Sequence, residues 1–174
     1  MYPKRINWTE IIKDHTTPVW HINEQLKTPT ELPKVILIST GSYNPSMNFL
    51  FNIVDDDIVH KMHIEMLRLA KNELESTFKF KVLGAYISPS HEDYVSYKLK
   101  DDYIYTELRL EMCKLAIKES GHSDWIQVDP WEATQSRFYD FPEVVFRMDD
   151  FVKKTWPNEK ISNSHSMIIN LYKE

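Results

Sequence analysis

Residues 34–45 read KVILISTGSYNP. Val35, Ile36, Leu37 and Ile38 form an apolar, largely β-branched run with no polar alternation. That is the pattern of a strand covered on both faces. The run ends at Ser39, Thr40, Gly41 and Ser42, a turn composition. A strand covered on both faces needs a layer of structure on each side, so this stretch predicts an α/β arrangement.

On the C-terminal side, residues 59–77 predict a helix with Met66, Leu67, Ala70 and Leu74 on one face. Lys79 to Ile87 predicts a second strand that stops at Ser88-Pro89. A helix is predicted over 103–119 from Ile104, Leu108, Met112, Leu115 and Ala116, with Gly121 as its stop. Trp125 to Val128 predicts a third strand, and Pro142 to Lys154 a further helix. Alternating strands and helices imply a parallel, Rossmann-like sheet with right-handed crossovers and helices on both faces. Residues 1–33, broken by four prolines, read as an N-terminal extension with a short helix near Trp8 to Lys13. Residues 34–156 read as the α/β domain and 157–174 as a tail, apolar only at Met167, Ile168 and Ile169.

Composition narrows the function classes. The 174 residues suit one domain with a real core. A single cysteine, Cys113, excludes an internal disulfide framework and a cysteine zinc module, and it reads as core. The net charge of -5 and pI near 5.8 argue against a nucleic-acid partner. No apolar run approaches a membrane span, and the N-terminus lacks a secretory h-region. An intracellular protein, cytoplasmic or nuclear, is expected.

In such sheets ligands sit at the carboxyl ends of the strands. Gly41-Ser42-Tyr43, Ser88-Pro89 and Asp129-Pro130-Trp131 stand at those ends. A glycine after a buried strand lets backbone N–H groups approach an anion. His60 and His63, three apart at a helix start, fall on one side, where the helix dipole favours negative charge. Together these groups could hold phosphates and donate to charge on a bridging oxygen. The spacing is equally met by a turn glycine and two solvent-facing histidines. A metal site would need i, i+4 spacing or a carboxylate partner, and no metal ligand set is assigned. His91, His122 and His165 are expected to face solvent, and Trp125 to lie in the core.

STGSYNP (39–45), KMHIEMLRLAK (61–71), LGAYISPSHEDY (83–94), LRLEMCKLA (108–116) and WIQVDPWEATQS (125–136) follow one another in order. This series resembles the eukaryotic-type nicotinamide/nicotinate mononucleotide adenylyltransferases of the HxGH nucleotidyltransferase superfamily. The resemblance covers roughly residues 34–147 and is most specific at VDPWEA-x-QS. It implies adenylyl transfer from ATP, with Mg²⁺, to nicotinamide or nicotinate mononucleotide, giving a dinucleotide and pyrophosphate. It assigns Gly41, Ser42 and Tyr43 to the phosphates and His63 to the ATP phosphates in the transition state. His60 falls on the first position of the histidine motif, and Lys98 and Lys100 on lysines that reach ATP. Arg109 matches an arginine that opens the second helix motif. Trp131 and Phe138 fall in the pyridine-nucleotide pocket.

The chain departs from the family pattern in three places. Fourteen residues, Ser46 to Val59, separate Pro45 from His60 and carry Asp55-Asp56-Asp57, which read as a solvated loop. Phe141 stands where a pocket threonine is usual. No ISSTxIR-like block occurs, so the nucleotidyltransferase fold is expected to be incomplete at the C-terminus. A truncated, non-catalytic nucleotide-binding or protein-interaction relative is therefore the alternative, and an exposed sheet edge would favour homo-oligomers.

Overall fold

The computed structural model describes residues 17–44 and 58–161, the side chains of 58–61 apart. The expected helix at Trp8 to Lys13, most of the 46–59 insert, the tail at Met167 to Ile169, and the His60 and His165 side chains lie outside the described residues. In chain order the elements are α1 (Trp20–Leu26), β1 (Lys34–Gly41), α2 (Ile58–Ser76), β2 (Lys81–Pro89) and α3 (Glu92–Leu99). A 3₁₀ turn (Lys100–Asp102), α4 (Thr106–Glu119), β3 (Ile126–Val128), a second 3₁₀ turn (Glu132–Thr134) and α5 (Phe141–Thr155) follow. The strands form a parallel sheet in the order β1-β2-β3.

The absence of alternation in β1 has its explanation in two cores. Val35 and Leu37 join Ile64, Leu67 and Leu74 of α2 and Leu110, Cys113 and Ile117 of α4 on one face. Ile36 and Ile38 join Ile22 of α1 and Val144, Met148 and Val152 of α5 on the other. Each such side chain, fully buried, contributes about 1.5–3 kcal/mol of burial free energy, so both faces repay the strand's ordering. This is the α/β, Rossmann-like arrangement with helices on both faces.

The register of β1 on β2 shifts between Val35 and Ile36, leaving Leu83 as the extra residue. Gly84 then lies directly under α1: a Cβ there would come within 2.5 Å of Ile22 Cδ1 and 2.8 Å of His21 Cδ2. The glycine is what lets α1 sit this close to the sheet.

Several boundaries and faces differ from expectation. β2 starts at Lys81, because Lys79 adopts a φ of 57° and Phe80 N–H donates back to Leu74 O at 3.0 Å. It also runs on through Ser88 and Pro89, which pair with Thr40 and Gly41. Proline is admissible at a strand's last residue, where its missing N–H interrupts no further ladder. α4 starts at Thr106, after extended Tyr103 and Tyr105. Its buried face is Thr106, Arg109, Leu110, Cys113 and Ile117, whereas Leu108 and Leu115 are about half exposed. Likewise Ile64 and Leu67 face the core on α2, while Met66 is only partly buried. α3 and α1 had no predicted counterpart; each buries few residues, Val95 in α3 and His21 and Ile22 in α1.

α5 starts where a complete capping box places it. Asp140 accepts from Glu143 N–H at 3.2 Å, and Glu143 accepts from Asp140 N–H at 3.1 Å. That fixed start aims the helix along the far face of the sheet, with Arg147 two turns in.

Candidate active site

The carboxyl ends of the three strands are stitched into one edge by backbone bonds. Ser90 N–H donates to Gly41 O, and Asp129 N–H to Ile87 O, each at 2.8 Å. Asn44 ties the 3₁₀ turn after α3 to the same edge, donating to Asp102 O at 2.9 Å and accepting from Ile104 N–H.

Arg109 holds the β1 and β2 exits together from beneath. Its side chain is fully buried and uses every nitrogen. Nε donates to Ile104 O at 3.0 Å, Nη1 to Ser42 O at 2.8 Å, and Nη2 to Ser90 O and Thr106 Oγ1, both at 2.9 Å. Burial pulls the guanidinium below its ordinary value, with Cys113, Glu92, Glu132 and Glu107 acting in the opposite direction. The partners are three carbonyls and a hydroxyl, all neutral, so the guanidinium fork is used as a structural clamp.

Gly41, Ser42 and Tyr43 lie at the β1 exit. Tyr43 has a φ of 44° and folds its ring back, 3.3 Å from where a Cβ on Gly41 would sit. Its hydroxyl donates to Ser39 O at 3.0 Å and is hydrogen-bonded to Ser39 Oγ at 2.5 Å. The His63 ring packs on Tyr43 with centroids 4.9 Å apart. The long segment between Pro45 and His60 therefore does not carry His63 away from the β1 exit. Ser42 Oγ is buried and has no hydrogen-bond partner among the described residues.

Lys98 and Lys100 are exposed at the end of α3 and in the turn after it, with Lys98 Nζ 5.8 Å from the Tyr94 ring centroid. Trp131 and Phe138 do not share one stack. Trp131 is half-buried against Tyr139, with centroids 5.1 Å apart, whereas Phe138 stacks on Tyr94 at 5.2 Å and 13°.

At this edge Glu132 carries no sequence signal of its own, Asp129 is marked in the sequence only as a strand-end residue, and His91 was misplaced. Glu132, next to Trp131, is 3% exposed. It accepts from Ser88 Oγ at 3.4 Å and also bonds the Ser90 side chain and His91 N–H. Burial pushes its carboxyl up to about 7 against those bonds, with a smaller push from Asp129. Asp129 is buried, accepts from Trp131 N–H at 3.2 Å and pairs with Arg147 at 2.8 Å. His91, expected in solvent, is buried instead. Its Nδ1 accepts from Asp93 N–H at 3.1 Å, capping α3, while Nε2 lies 3.0 Å from Gln135 O. Those two partners require the tautomer protonated on Nε2. His122 is partly buried against Trp125.

Cys113 is buried, and its thiol is pushed up to about 12 by desolvation despite Arg109. It lies in the core and is not activated as a nucleophile. Among the described residues no group of three or more His, Cys, Asp or Glu side chains could hold a metal ion. Nor is any described helix long and apolar enough to cross a membrane.

The exits of this parallel α/β sheet gather a glycine-serine turn, a histidine-bearing helix and a Trp-Glu turn. The family model described as cytidylyltransferase-like matches residues 57–171, and the chain belongs to that family. Among curated relatives, it is 36% identical over 120 residues to nicotinamide/nicotinic acid mononucleotide adenylyltransferase 2 of Xenopus tropicalis, covering 69% of this chain and 33% of the relative. The protein of the same name from Rattus norvegicus is 34% identical over 127 residues, covering 73% and 35%. Nicotinamide/nicotinic acid mononucleotide adenylyltransferase of Arabidopsis thaliana is 36% identical over 118 residues, covering 68% and 41%. The chain thus spans between a third and two-fifths of the length of these relatives.

Proposed function

We propose that this chain carries the adenylyl-transfer site of a pyridine-nucleotide adenylyltransferase, within residues 34–156. The substrates are ATP, arriving as its Mg²⁺ complex, and nicotinamide or nicotinate mononucleotide. Both are intracellular metabolites, which suits a cytoplasmic or nuclear protein. The observation that carries the reading is the convergence of STGSY, SPSH and VDPWEA on one sheet edge, clamped by Arg109, with the Ser42 hydroxyl there unpaired among the described residues.

In this mechanism a phosphate oxygen of the mononucleotide attacks the α-phosphorus of ATP. The bond from that phosphorus to the α,β-bridging oxygen breaks, and pyrophosphate leaves. No protein nucleophile is required. What is required is alignment of two anionic substrates and positive donors around the charge that moves to the bridging oxygen. Gly41 and Ser42 offer backbone and hydroxyl donors at the β1 exit. His63, held against Tyr43, donates to the ATP phosphates, with His60 one turn earlier on α2. Lys98 and Lys100 supply exposed ammonium groups that can fold onto the polyphosphate. Trp131 and Phe138 stand on the mononucleotide side, where an aromatic wall receives the pyridine ring.

The test is pyrophosphate release from Mg²⁺–ATP dependent on added mononucleotide. His63→Ala is expected to lower the rate by about 10²-fold or more while leaving unfolding unchanged. Nucleotide binding without turnover by the unmodified chain would favour a non-catalytic relative instead.

A further inference from the structure

Arg147 stands on α5, outside every motif that marks the site, yet its guanidinium makes four contacts there. Nη1 donates to Asp129 Oδ2 at 2.8 Å and Nη2 to Thr17 Oγ1. The guanidinium carbon lies 4.8 Å from the Trp131 ring centroid and 4.9 Å from that of Phe151. Thr17 closes the triangle by donating to Asp129 Oδ1 at 2.7 Å, the same oxygen that accepts Trp131 N–H. Thr17 is itself anchored, because the next residue's carbonyl, Pro18 O, accepts from Tyr86 OH at 2.6 Å.

From this bracket we infer that Arg147 and Thr17 are positioning residues for Trp131, holding its indole in the mononucleotide wall. The inference rests on the proposed mononucleotide site. A tryptophan side chain rotates freely about two bonds unless its ring and backbone are both fixed. Here the backbone is fixed by Asp129, while one cation and Tyr139 fix the ring. The indole is still only half-buried, so surface remains for a ligand ring. A guanidinium suits this place better than an ammonium, since its plane stacks on indole while its edge makes two separate hydrogen bonds. The charge of Arg147 is balanced by Asp129 at 2.8 Å. The bracket therefore supplies orientation, and its loss should weaken nicotinamide and nicotinate mononucleotide equally.

The experiment uses the full 174-residue chain with Arg147→Met, Arg147→Lys and Thr17→Val, with melting temperature as the folding control. Titration calorimetry measures both mononucleotides and ATP. Arg147→Met is expected to weaken both mononucleotides by about tenfold and ATP by less than about twofold. Arg147→Lys should recover part of the loss, and Thr17→Val should show a smaller one. Unchanged mononucleotide affinity, an equal loss for ATP, or a loss confined to nicotinate mononucleotide would each overturn the inference. A chain that binds neither mononucleotide refutes the substrate reading. The bracket is then judged alone, from the near-ultraviolet dichroism that Trp131→Phe removes. That signal collapses in Arg147→Met if the bracket fixes the indole and persists if it does not.

Discussion

Replacing Arg109 with Met keeps a stem of similar length in the core and removes all of its donors. Three carbonyls, of Ser42, Ser90 and Ile104, and the Thr106 hydroxyl then lose a partner. A buried acceptor left unpaired costs about 1–3 kcal/mol, so the three carbonyls together set an upper range of about 3–9 kcal/mol. Two effects reduce that sum. The guanidinium no longer has to be desolvated, and Ser42, being only partly buried, can bind water instead. A net loss of about 3–5 kcal/mol follows, comparable with breaking a buried ionic interaction. For a chain of this length that corresponds to a fall of roughly 10 °C or more in Tm. Arg109→Lys keeps one cationic centre, which can serve one or two of the carbonyls, and should recover about half. Urea unfolding followed by tryptophan fluorescence measures the effect, with an unchanged m-value as the check that one transition is being compared. A loss below about 1 kcal/mol for the Met variant would show that Arg109 does not clamp the strand exits.

Other expectations concern titration and packing. Glu132, raised from 4.5 to about 7, is neutral in the fold and ionised in the unfolded chain between those values, so its contribution is complete below pH 4.5 and lost as pH rises through 7. His21, lowered by burial from 6.5 to about 4, contributes above pH 6.5 and loses that contribution as pH falls through 4. Each shift corresponds to about 3 kcal/mol, so they nearly cancel in the unmodified chain. Glu132→Gln should then lose stability as pH falls from 6.5 to 4.5, and His21→Leu should gain it; two flat profiles by thermal unfolding would contradict both assignments. Gly84→Ala forces a methyl group against fully buried Ile22 and His21, and a loss of about 1–3 kcal/mol is expected from chemical denaturation. A neutral result would mean that α1 is not held against β2 as described.

How far the sequence revealed this fold depended on whether a signal was local. β1 was legible because an unalternating Val-Ile-Leu-Ile run has one explanation, a layer on each face. The buried face of α4 was not. Counting apolar residues selected Leu108 and Leu115, which are exposed, and passed over Thr106 and Arg109, which are buried because their polar atoms are bonded. The start of β2 was missed because Lys79 takes a left-handed conformation that lysine composition does not announce. At the site, the strand-exit residues Gly41 to Tyr43 and Asp129 to Trp131 were visible as breaks in apolar runs. The Thr17–Arg147 bond spans 130 positions and belongs to no periodic pattern. No local pattern separates Glu132 from a surface acid; its burial comes from Ser88, Ser90 and His91, brought over it by the fold.

The central claim is that the clamped strand exits hold ATP and a pyridine mononucleotide in line. Incubation of the chain with ATP labelled at the α-phosphate, Mg²⁺ and either mononucleotide tests it directly. Label is expected in a dinucleotide, formed in equal amount with unlabelled pyrophosphate and lost in His63→Ala. Absence of labelled dinucleotide with both mononucleotides would contradict it.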